Sequence, residues 1–319
     1  RGSPPGGYFS PYKNPKLASG PKGESLPIRL ANETALFIEA NKDRKFFAYL
    51  SFYSVHGPIQ TTQPLWQKYQ KKAAAQGLAK ARFKFDRTKA VRQVQDNPIY
   101  AGMMESMDNA VGIVMKKLRD LGLDKSTVVI FTSDNGPWLS YGDHAGQTGI
   151  YREGKGTTFE GGVRVPFVAR WTGTIPAGVV SDEPLMTIDL FPTIASLLGT
   201  PLPAQHIDGK NATSLLLGEQ GATSPQEAYY FYYKKNDLEA MRYSKWKLHF
   251  PHGYRSMQGR EIGNGGIPGK YDYGVKTGLE LYDLANDPSE STNVAGDHPD
   301  VMERLMALAD TMRADLGDN

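Results

Sequence analysis

An amphipathic helix that runs into a β-branched strand constrains the fold of this chain more than any other feature. From Asn97 onward, apolar residues recur at helical spacing and define one stripe: Met103, Met107, Ala110, Val111, Val114 and Leu118. Gly122 predicts the end of this helix, and the run Val128–Phe131 follows it. A strand of such composition, buried on both faces, is typical of a parallel sheet.

A similar pattern occurs earlier in the chain. Residues 27–42 carry apolar side chains at near-helical spacing, and residues 46–53 are almost continuously apolar and aromatic. We expect a helix followed by a buried strand here. Together these segments predict an α/β fold, with a doubly wound, mainly parallel sheet sandwiched by helices.

The pattern changes near residue 202. Residues 229–233 and 244–250 predict antiparallel strands, and residues 300–316 predict a closing amphipathic helix. We therefore expect an α/β domain over residues 1–202 and a smaller C-terminal α+β subdomain over residues 203–319.

Composition and charge narrow the possible partners and chemistry. The 319 residues include 37 basic and 34 acidic side chains, a net charge of +3, which predicts neither nucleic acid nor a membrane surface as a partner. The sequence contains no cysteine, which excludes disulfides, thiolate catalysis and cysteine-ligated zinc within these residues. A metal bound here must have oxygen or imidazole ligands.

The sequence TSDNG after the predicted strand at 128–131 places Asp134 beside Asn135. In open α/β sheets, ligands bind at the carboxyl ends of strands. A carboxylate next to a carboxamide offers oxygen ligands that suit a hard divalent cation such as Ca²⁺ or Mg²⁺. An ordinary Asn-Gly turn is the alternative interpretation of this pair.

A glycine-rich segment follows about twenty residues later, with the sequence REGKGTTFEGGVRVP. Its glycines allow the backbone to approach other chain segments closely, and Lys155 between two of them could reach an anion. The alternative for Lys155 is a solvated loop lysine. Glu160 and Arg164 are predicted to form a structural ion pair that holds the turn.

His56 follows the predicted strand at 46–53, again at a carboxyl end. A lone histidine is more often structural or simply exposed. Its expected position on the same sheet edge as Asp134 predicts an imidazole in the same cleft.

These motifs together resemble the arylsulfatase family, the formylglycine-dependent sulfatases of the alkaline phosphatase superfamily. The resemblance runs from residue 5 to the C-terminus and includes TSDNG, GKGTTFEGGVRVP, MTIDLFPTIA, IDG, SLLL and LELYDL with DPSE. It implies an alkaline phosphatase-like fold in which residues 1–202 form part of the catalytic domain. Such enzymes hydrolyse sulfate esters at a calcium site.

The resemblance also implies roles for individual residues. Asp134 and Asn135 match the calcium ligands, with Mg²⁺ as the less favoured cation, and Lys155 matches a lysine that contacts the sulfate. His56 matches a histidine that faces the sulfate or the leaving oxygen. Three residues fall in loops that vary in length in such enzymes and are candidate substrate contacts, or else exposed polar loop residues: His144, His252 and Arg255.

The chain departs from the family pattern in three features. It contains no Cys/Ser-x-Pro-x-Arg motif for the formylglycine, no early pair of adjacent aspartates and no Gly-Lys-x-His segment. In the family, all of these precede the point that matches the start of this sequence. We expect that one N-terminal block, including the formylglycine, is missing, and that a second chain could complete the interrupted sheet.

The resulting prediction is a sulfatase that acts on a sulfated sugar or aryl sulfate and is periplasmic or secreted. The isolated chain is expected to be inactive because it lacks the nucleophile. A phosphodiesterase or phosphonate hydrolase of the same superfamily is the first alternative, although the sequence GKGTTFEGG favours the sulfatase. A non-catalytic, truncated pseudoenzyme is the second.

Overall fold

The computed structural model describes residues 6–77, 83–86, 89–142, 148–263 and 267–318. The chain forms two compact units that interleave in sequence. The first comprises Arg1–Val128, Ser140–Gln147 and Met257–Lys270, and the second comprises Val129–Leu139, Thr148–Ser256 and Tyr271–Asn319. The predicted domain boundary after residue 202 falls within the second unit and stays a prediction.

The described part of the first unit contains three α-helices and a β-hairpin. They are α1 (Leu26–Ala40), α2 (Gln63–Ala75), β1 (Phe83–Asp86), β2 (Lys89–Arg92) and α3 (Pro98–Asp120). The predicted helix after Asn97 is confirmed. The Asn97 side-chain oxygen accepts a hydrogen bond from the N–H of Ile99 at 3.0 Å and caps the first turn. The helix ends before Gly122, which adopts φ +69°.

Helix α1 packs against α3 and confirms the predicted helix at 27–42. Both helices contribute buried apolar residues to the core of this unit: Ala31, Ala35, Ile38, Met103, Ala110 and Leu118. None of the described helices is long and apolar enough to cross a membrane.

The predicted buried strand at 46–53 is wrong. No strand forms there, and Phe47 and Tyr49 are 65% and 83% exposed. An apolar run becomes a buried strand only when neighbouring strands take up its backbone hydrogen bonds. Within the described residues, no strand pairs with this segment.

The second unit contains most of the strands. Its elements are β3 (Val129–Thr132), α4 (Glu160–Val163), β4 (Phe167–Arg170), α5 (Leu190–Leu198), α6 (Thr213–Leu216), β5 (Tyr229–Tyr233), β6 (Asp237–Tyr243), β7 (Trp246–His249), β8 (His252–Ser256), β9 (Asp272–Thr277), β10 (Glu280–Asp283) and α7 (Pro299–Leu316). A four-stranded antiparallel sheet has the order β10-β7-β6-β5, and α7 contributes Leu305 and Ala309 to its core. The predicted C-terminal strands and closing helix are thus confirmed.

Strand β3 forms where the sequence predicts it, but its pairing differs. It pairs antiparallel with β4, with Ile130 opposite Ala169, and every strand pair in the described part of the chain is antiparallel. Parallel pairing needs a second strand reached through a crossover, and the segment at 46–53 does not supply it. The mixed α/β class is confirmed, without parallel pairs among the described strands.

Candidate active site

Direct backbone contacts join the TSDNG turn to the glycine-rich loop. The N–H of Gly136 donates to the carbonyl of Gly162 at 3.0 Å, and the N–H of Lys155 donates to the carbonyl of Pro137 at 3.0 Å. A side chain at Gly136 would collide with the carbonyl oxygen of Gly161. The glycines thus permit the close approach that the sequence predicts, and they bring the segments of Asp134 and Lys155 together.

The turn after β3 presents two side-chain oxygen ligands. The Asn135 amide nitrogen donates to the carbonyl of Gly136 at 3.0 Å, a bond that does not use its side-chain oxygen. Asp134 is exposed, and none of the described residues donates a hydrogen bond to its carboxylate. A charged and a neutral oxygen of this kind fit a hard cation.

The two oxygens fit only part of a calcium site. The described residues contain no cluster of three or more His, Cys, Asp or Glu side chains that could hold a metal ion. Calcium takes about 6 to 8 oxygen ligands. Asp134 and Asn135 therefore suit one side of a coordination shell that other groups must complete.

Lys155 is held through its backbone on both sides. Its N–H bonds to Pro137, and its carbonyl accepts the Nε–H of Arg255 at 2.9 Å and a second N–H from the same guanidinium. The Lys155 ammonium lies 5.9 Å from the centroid of the Trp138 ring. The loop therefore fixes the origin of the lysine side chain beside the turn that carries Asp134.

A buried ionic network supports this loop from the C-terminal sheet. Lys247 donates to Glu160 at 2.8 Å and lies 3.4 Å from Glu290. His249 Nε2 bonds to Glu290 at 2.8 Å, and the same carboxylate accepts the backbone N–H of Glu160 at 2.7 Å. Buried charges persist when they are paired and hydrogen-bonded in this way.

The charge states in this network follow from its geometry. Burial by itself raises the pKa of Glu290, but the charge of Lys247 and the hydrogen bond from His249 outweigh it and hold the pKa below its usual value. Burial lowers the pKa of His249 despite the neighbouring Glu290. We therefore assign an ionised Glu290 that accepts a hydrogen bond from a neutral imidazole.

Arg152 ties the start of the loop to the same region. Its guanidinium donates to the Tyr282 hydroxyl at 3.1 Å and to the Glu290 carbonyl at 3.0 Å. It also lies 4.1 Å from the centroid of the buried Phe159 ring. Residues far along the chain thus hold the glycine-rich loop. Arg152 and Glu290, for example, are 138 positions apart.

The predicted pair of Glu160 and Arg164 is present but is not the main interaction. These side chains are 3.7 Å apart, whereas Lys247 lies 2.8 Å from Glu160. The sequence interpretation missed Lys247, His249 and Glu290. For Lys247 and His249 the signal is the alternation of polar and apolar residues in β7, which also fits a strand with one solvated face. Glu290 ends the DPSE motif, which does not reveal its partners.

His252 and Arg255 do not lie on an exposed loop. The His252 side chain is 5% exposed, its Nδ1–H donates to the Phe250 carbonyl at 2.7 Å, and Nε2 is 3.5 Å from Glu239. Burial lowers the pKa of His252 to about 4. The contact of His252 with substrate stays a prediction, and the Arg255 guanidinium donates to the Lys155 carbonyl. His144 lies outside the described residues.

His56 belongs to the first unit. Its Nδ1 lies 2.9 Å from the Gly57 carbonyl and donates to it. The buried Tyr8 hydroxyl bonds to the carbonyls of Tyr53 and His56 at 2.7 and 2.8 Å, which fixes the backbone around the histidine. Because Asp134 belongs to the second unit, the convergence of His56 with Asp134 stays a prediction.

Comparisons with known proteins identify relatives of this chain. The sequence pattern of the family described as Sulfatase matches residues 5–200, and that of the C-terminal region of aryl-sulfatase matches residues 224–319. Human arylsulfatase A is 39% identical over 222 residues, which cover 66% of this chain and 42% of the human protein. Human arylsulfatase D is 31% identical over 300 residues, which cover 89% of this chain and 46% of that protein.

Solved structures give a consistent result. The crystal structure of a sulfatase from a Pseudoalteromonas species matches with a TM-score of 0.67 and 26% identity, covering 90% of this chain and 53% of that one. The chain spans less than half the length of the two human relatives and about half that of the bacterial structure.

Proposed function

Because this chain belongs to the sulfatase family, we propose that it takes part in the hydrolysis of a sulfate ester, either a sulfated sugar or an aryl sulfate. The observation that carries this proposal is the bond between the Lys155 N–H and the Pro137 carbonyl, 3.0 Å long. It joins a cationic side chain to the turn that holds an exposed carboxylate and a carboxamide oxygen. An anionic ester and a divalent cation are the ligands that this pair of segments suits.

We assign the cation ligands to Asp134 and Asn135, with Ca²⁺ favoured over Mg²⁺. An open set of carboxylate and carboxamide oxygens on a turn accommodates the variable geometry of calcium better than the strict octahedron of magnesium. When bound, the cation supplies charge neutralisation for the sulfate group.

Lys155 and His56 carry the proposed roles of the chain in the reaction. The Lys155 ammonium binds a sulfate oxygen and orients the ester, and its attraction strengthens as negative charge develops in the transition state. His56 faces the leaving oxygen and holds the proton that this oxygen requires. Lys155 is thus a transition-state contact, and His56 a proton donor.

The nucleophile must come from outside these residues. The 319-residue sequence has no Cys/Ser-x-Pro-x-Arg motif from which a formylglycine could be made. We propose that an upstream segment supplies it, and that the 319-residue chain alone has no turnover. The expected binding partner is the sulfated substrate. We expect the complete protein to be secreted or periplasmic.

The test compares the 319-residue chain with the product of the complete reading frame bearing a matured formylglycine. Both are assayed with an aryl sulfate and excess Ca²⁺, and again with EDTA; an aryl phosphodiester serves as the competing substrate. We expect calcium-dependent sulfate release by the complete product alone. Turnover by the 319-residue chain would refute the nucleophile assignment, whereas preferential cleavage of the phosphodiester would refute the sulfatase. Inactivity of both proteins would favour the pseudoenzyme.

A further inference from the structure

We propose that Arg255 is a positioning residue: its guanidinium holds the peptide that carries Lys155, and it acts on the reaction only through that lysine. The inference rests on the proposed role of Lys155. It replaces the direct substrate contact that the sequence predicts for Arg255.

The geometry is that of a charged clamp on one carbonyl oxygen. Arg255 Nε donates to the Lys155 carbonyl at 2.9 Å, and Nη2 donates to the same oxygen. Hydrogen bonds from a charged donor are roughly twice as strong as neutral ones. Since the Lys155 N–H bonds to Pro137 on the other side, both backbone polar groups of Lys155 are engaged.

Gly156 makes this clamp possible. It has φ +83°, and a side chain at this position would collide with the Arg255 guanidinium. The second glycine of the GKG sequence therefore lets the guanidinium approach the Lys155–Gly156 peptide. This explains a glycine that anion binding by Lys155 does not by itself require.

The strand that carries Arg255 is built to aim it. In the hairpin of β8 and β9, the register shifts between Tyr254 and Ser256, which places Arg255 at an irregularity in the ladder. Such irregularities redirect a side chain. The Arg255 Cζ lies 4.8 Å from the centroid of the Tyr271 ring, and this cation–π contact supports the guanidinium.

The residues on either side of Arg255 hold the same loop. The Ser256 hydroxyl donates to the buried Glu153 carboxylate at 2.8 Å, and the Tyr254 hydroxyl accepts a hydrogen bond from Arg152 at 3.2 Å. Three consecutive residues of β8 thus contact the loop at Arg152, Glu153 and Lys155. Strand β8 therefore holds the loop at several residues, and Arg255 makes the contact with Lys155.

The first test is a double-mutant cycle in the product of the complete reading frame. We expect R255A to lower kcat for an aryl sulfate by about 100-fold with a smaller change in KM, the size of loss that a small misplacement causes. The variant R255K, which retains one donor, should recover part of it. If Arg255 acts through Lys155, the double variant R255A/K155A is no slower than K155A. K276A, which removes an exposed cation from the same hairpin, should match wild type.

The second test does not depend on turnover. Hydrogen exchange of the Lys155 amide, measured in the same proteins by NMR or mass spectrometry, should accelerate in R255A and not in K276A. If R255A does not fold, R255Q replaces it in both experiments. Additive losses in the cycle, or unchanged exchange of the Lys155 amide, would overturn the proposal. If the wild-type protein has no sulfatase activity, the proposed function fails, while the exchange measurement still decides the role of Arg255.

Discussion

The glycine-rich loop at 152–162 and the turn at 133–135 are neighbours in the second unit, yet they are held in opposite ways. The loop is enclosed by paired charges and bonded at successive residues to the C-terminal strands. The turn follows strand β3, which pairs only with β4 among the described strands, and Val168 in β4 is 59% exposed. Asp134 is exposed, whereas Glu160 is 2% exposed.

This difference separates the sources of order in the candidate site. Residues of this chain hold the backbone of Lys155, so the origin of its side chain is placed before any ligand binds. The carboxylate of Asp134 has no such support among the described residues, so we expect its geometry to depend on the proposed cation. Substitutions in the loop supports should therefore change stability, whereas substitutions in the turn should change binding and turnover alone.

The largest expected effect is functional and lies in the turn. Asp134→Ala should abolish calcium binding and turnover in the complete protein, because it removes the charged oxygen ligand. The free energy of unfolding should change by no more than about 0.5 kcal/mol, since the side chain is exposed. Calorimetric titration with Ca²⁺ and chemical unfolding measure the two effects. Asp182→Ala, at another exposed acid, is the control; a large stability loss in Asp134→Ala would break the comparison.

The next effect lies in the supports of the loop. Glu290→Ala leaves Lys247 and His249 buried beside an empty position, and it should lower the free energy of unfolding by about 3 to 5 kcal/mol. Urea unfolding followed by circular dichroism measures this loss. Glu303→Ala, on the exposed face of α7, should cost less than about 0.5 kcal/mol. A similar, small loss in both variants would mean that the network does not hold the loop.

Lys155→Ala should separate support from chemistry within the loop itself. Transition-state stabilisation should fall by about 2 to 4 kcal/mol, as for other preorganised charge contacts. The backbone bonds to Pro137 and Arg255 do not involve the side chain, so the unfolding free energy should stay close to wild type. Steady-state kinetics with an aryl sulfate provide the measurement. Unchanged kcat/KM would exclude Lys155 from the reaction.

The smallest effect is a pH dependence of stability that arises from a buried histidine. His252 has a pKa lowered to about 4 by burial, against an ordinary value of 6.5. The unfolded chain therefore binds more protons between these values, and stability is lost as pH falls from about 6.5 towards 4. Between pH 7.5 and 5.5 this group should contribute a loss of about 1 kcal/mol.

His252→Gln tests this assignment, because it removes the titrating group but keeps a polar side chain. The pH slope of wild type minus that of the variant isolates His252 from its neighbours Glu239, His249 and Lys234. Burial raises the pKa of Glu239, which opposes the effect by favouring the folded state as pH falls. Equal slopes in the two proteins would show that His252 does not titrate as its burial implies.

Local patterns in the sequence predict the local parts of the fold. Helices α1, α3 and α7 and strand β5 lie where periodicity places them, because their spacing and caps depend on neighbouring residues. The glycines of the loop predict close approach, though not the segment approached. The strand at 46–53 fails because its burial depends on partners that periodicity does not reveal.

The candidate site divides in the same way. Asp134, Asn135 and Lys155 lie in recognisable motifs, so sequence alone singles them out. Lys247 lies in no such motif, and Glu290 ends the DPSE motif without any indication of its contact, because the partners of Glu160 are 87 and 130 positions away and no local pattern encodes such a pair. The sequence predicts a loop position for Arg255, but its contact with Lys155, 100 positions away, is visible only in the structure.

The bond between Glu290 and the backbone of Glu160 also orders events during biosynthesis. These residues are 130 positions apart, and at about 5 to 20 residues per second the ribosome needs many seconds to travel between them. Throughout that interval the nascent glycine-rich loop lacks its final anchors. A message that ends before the codon for Glu290 would yield the glycine-rich motif that sequence comparison recognises, but without the carboxylate that binds the Glu160 backbone and pairs with the buried Lys247.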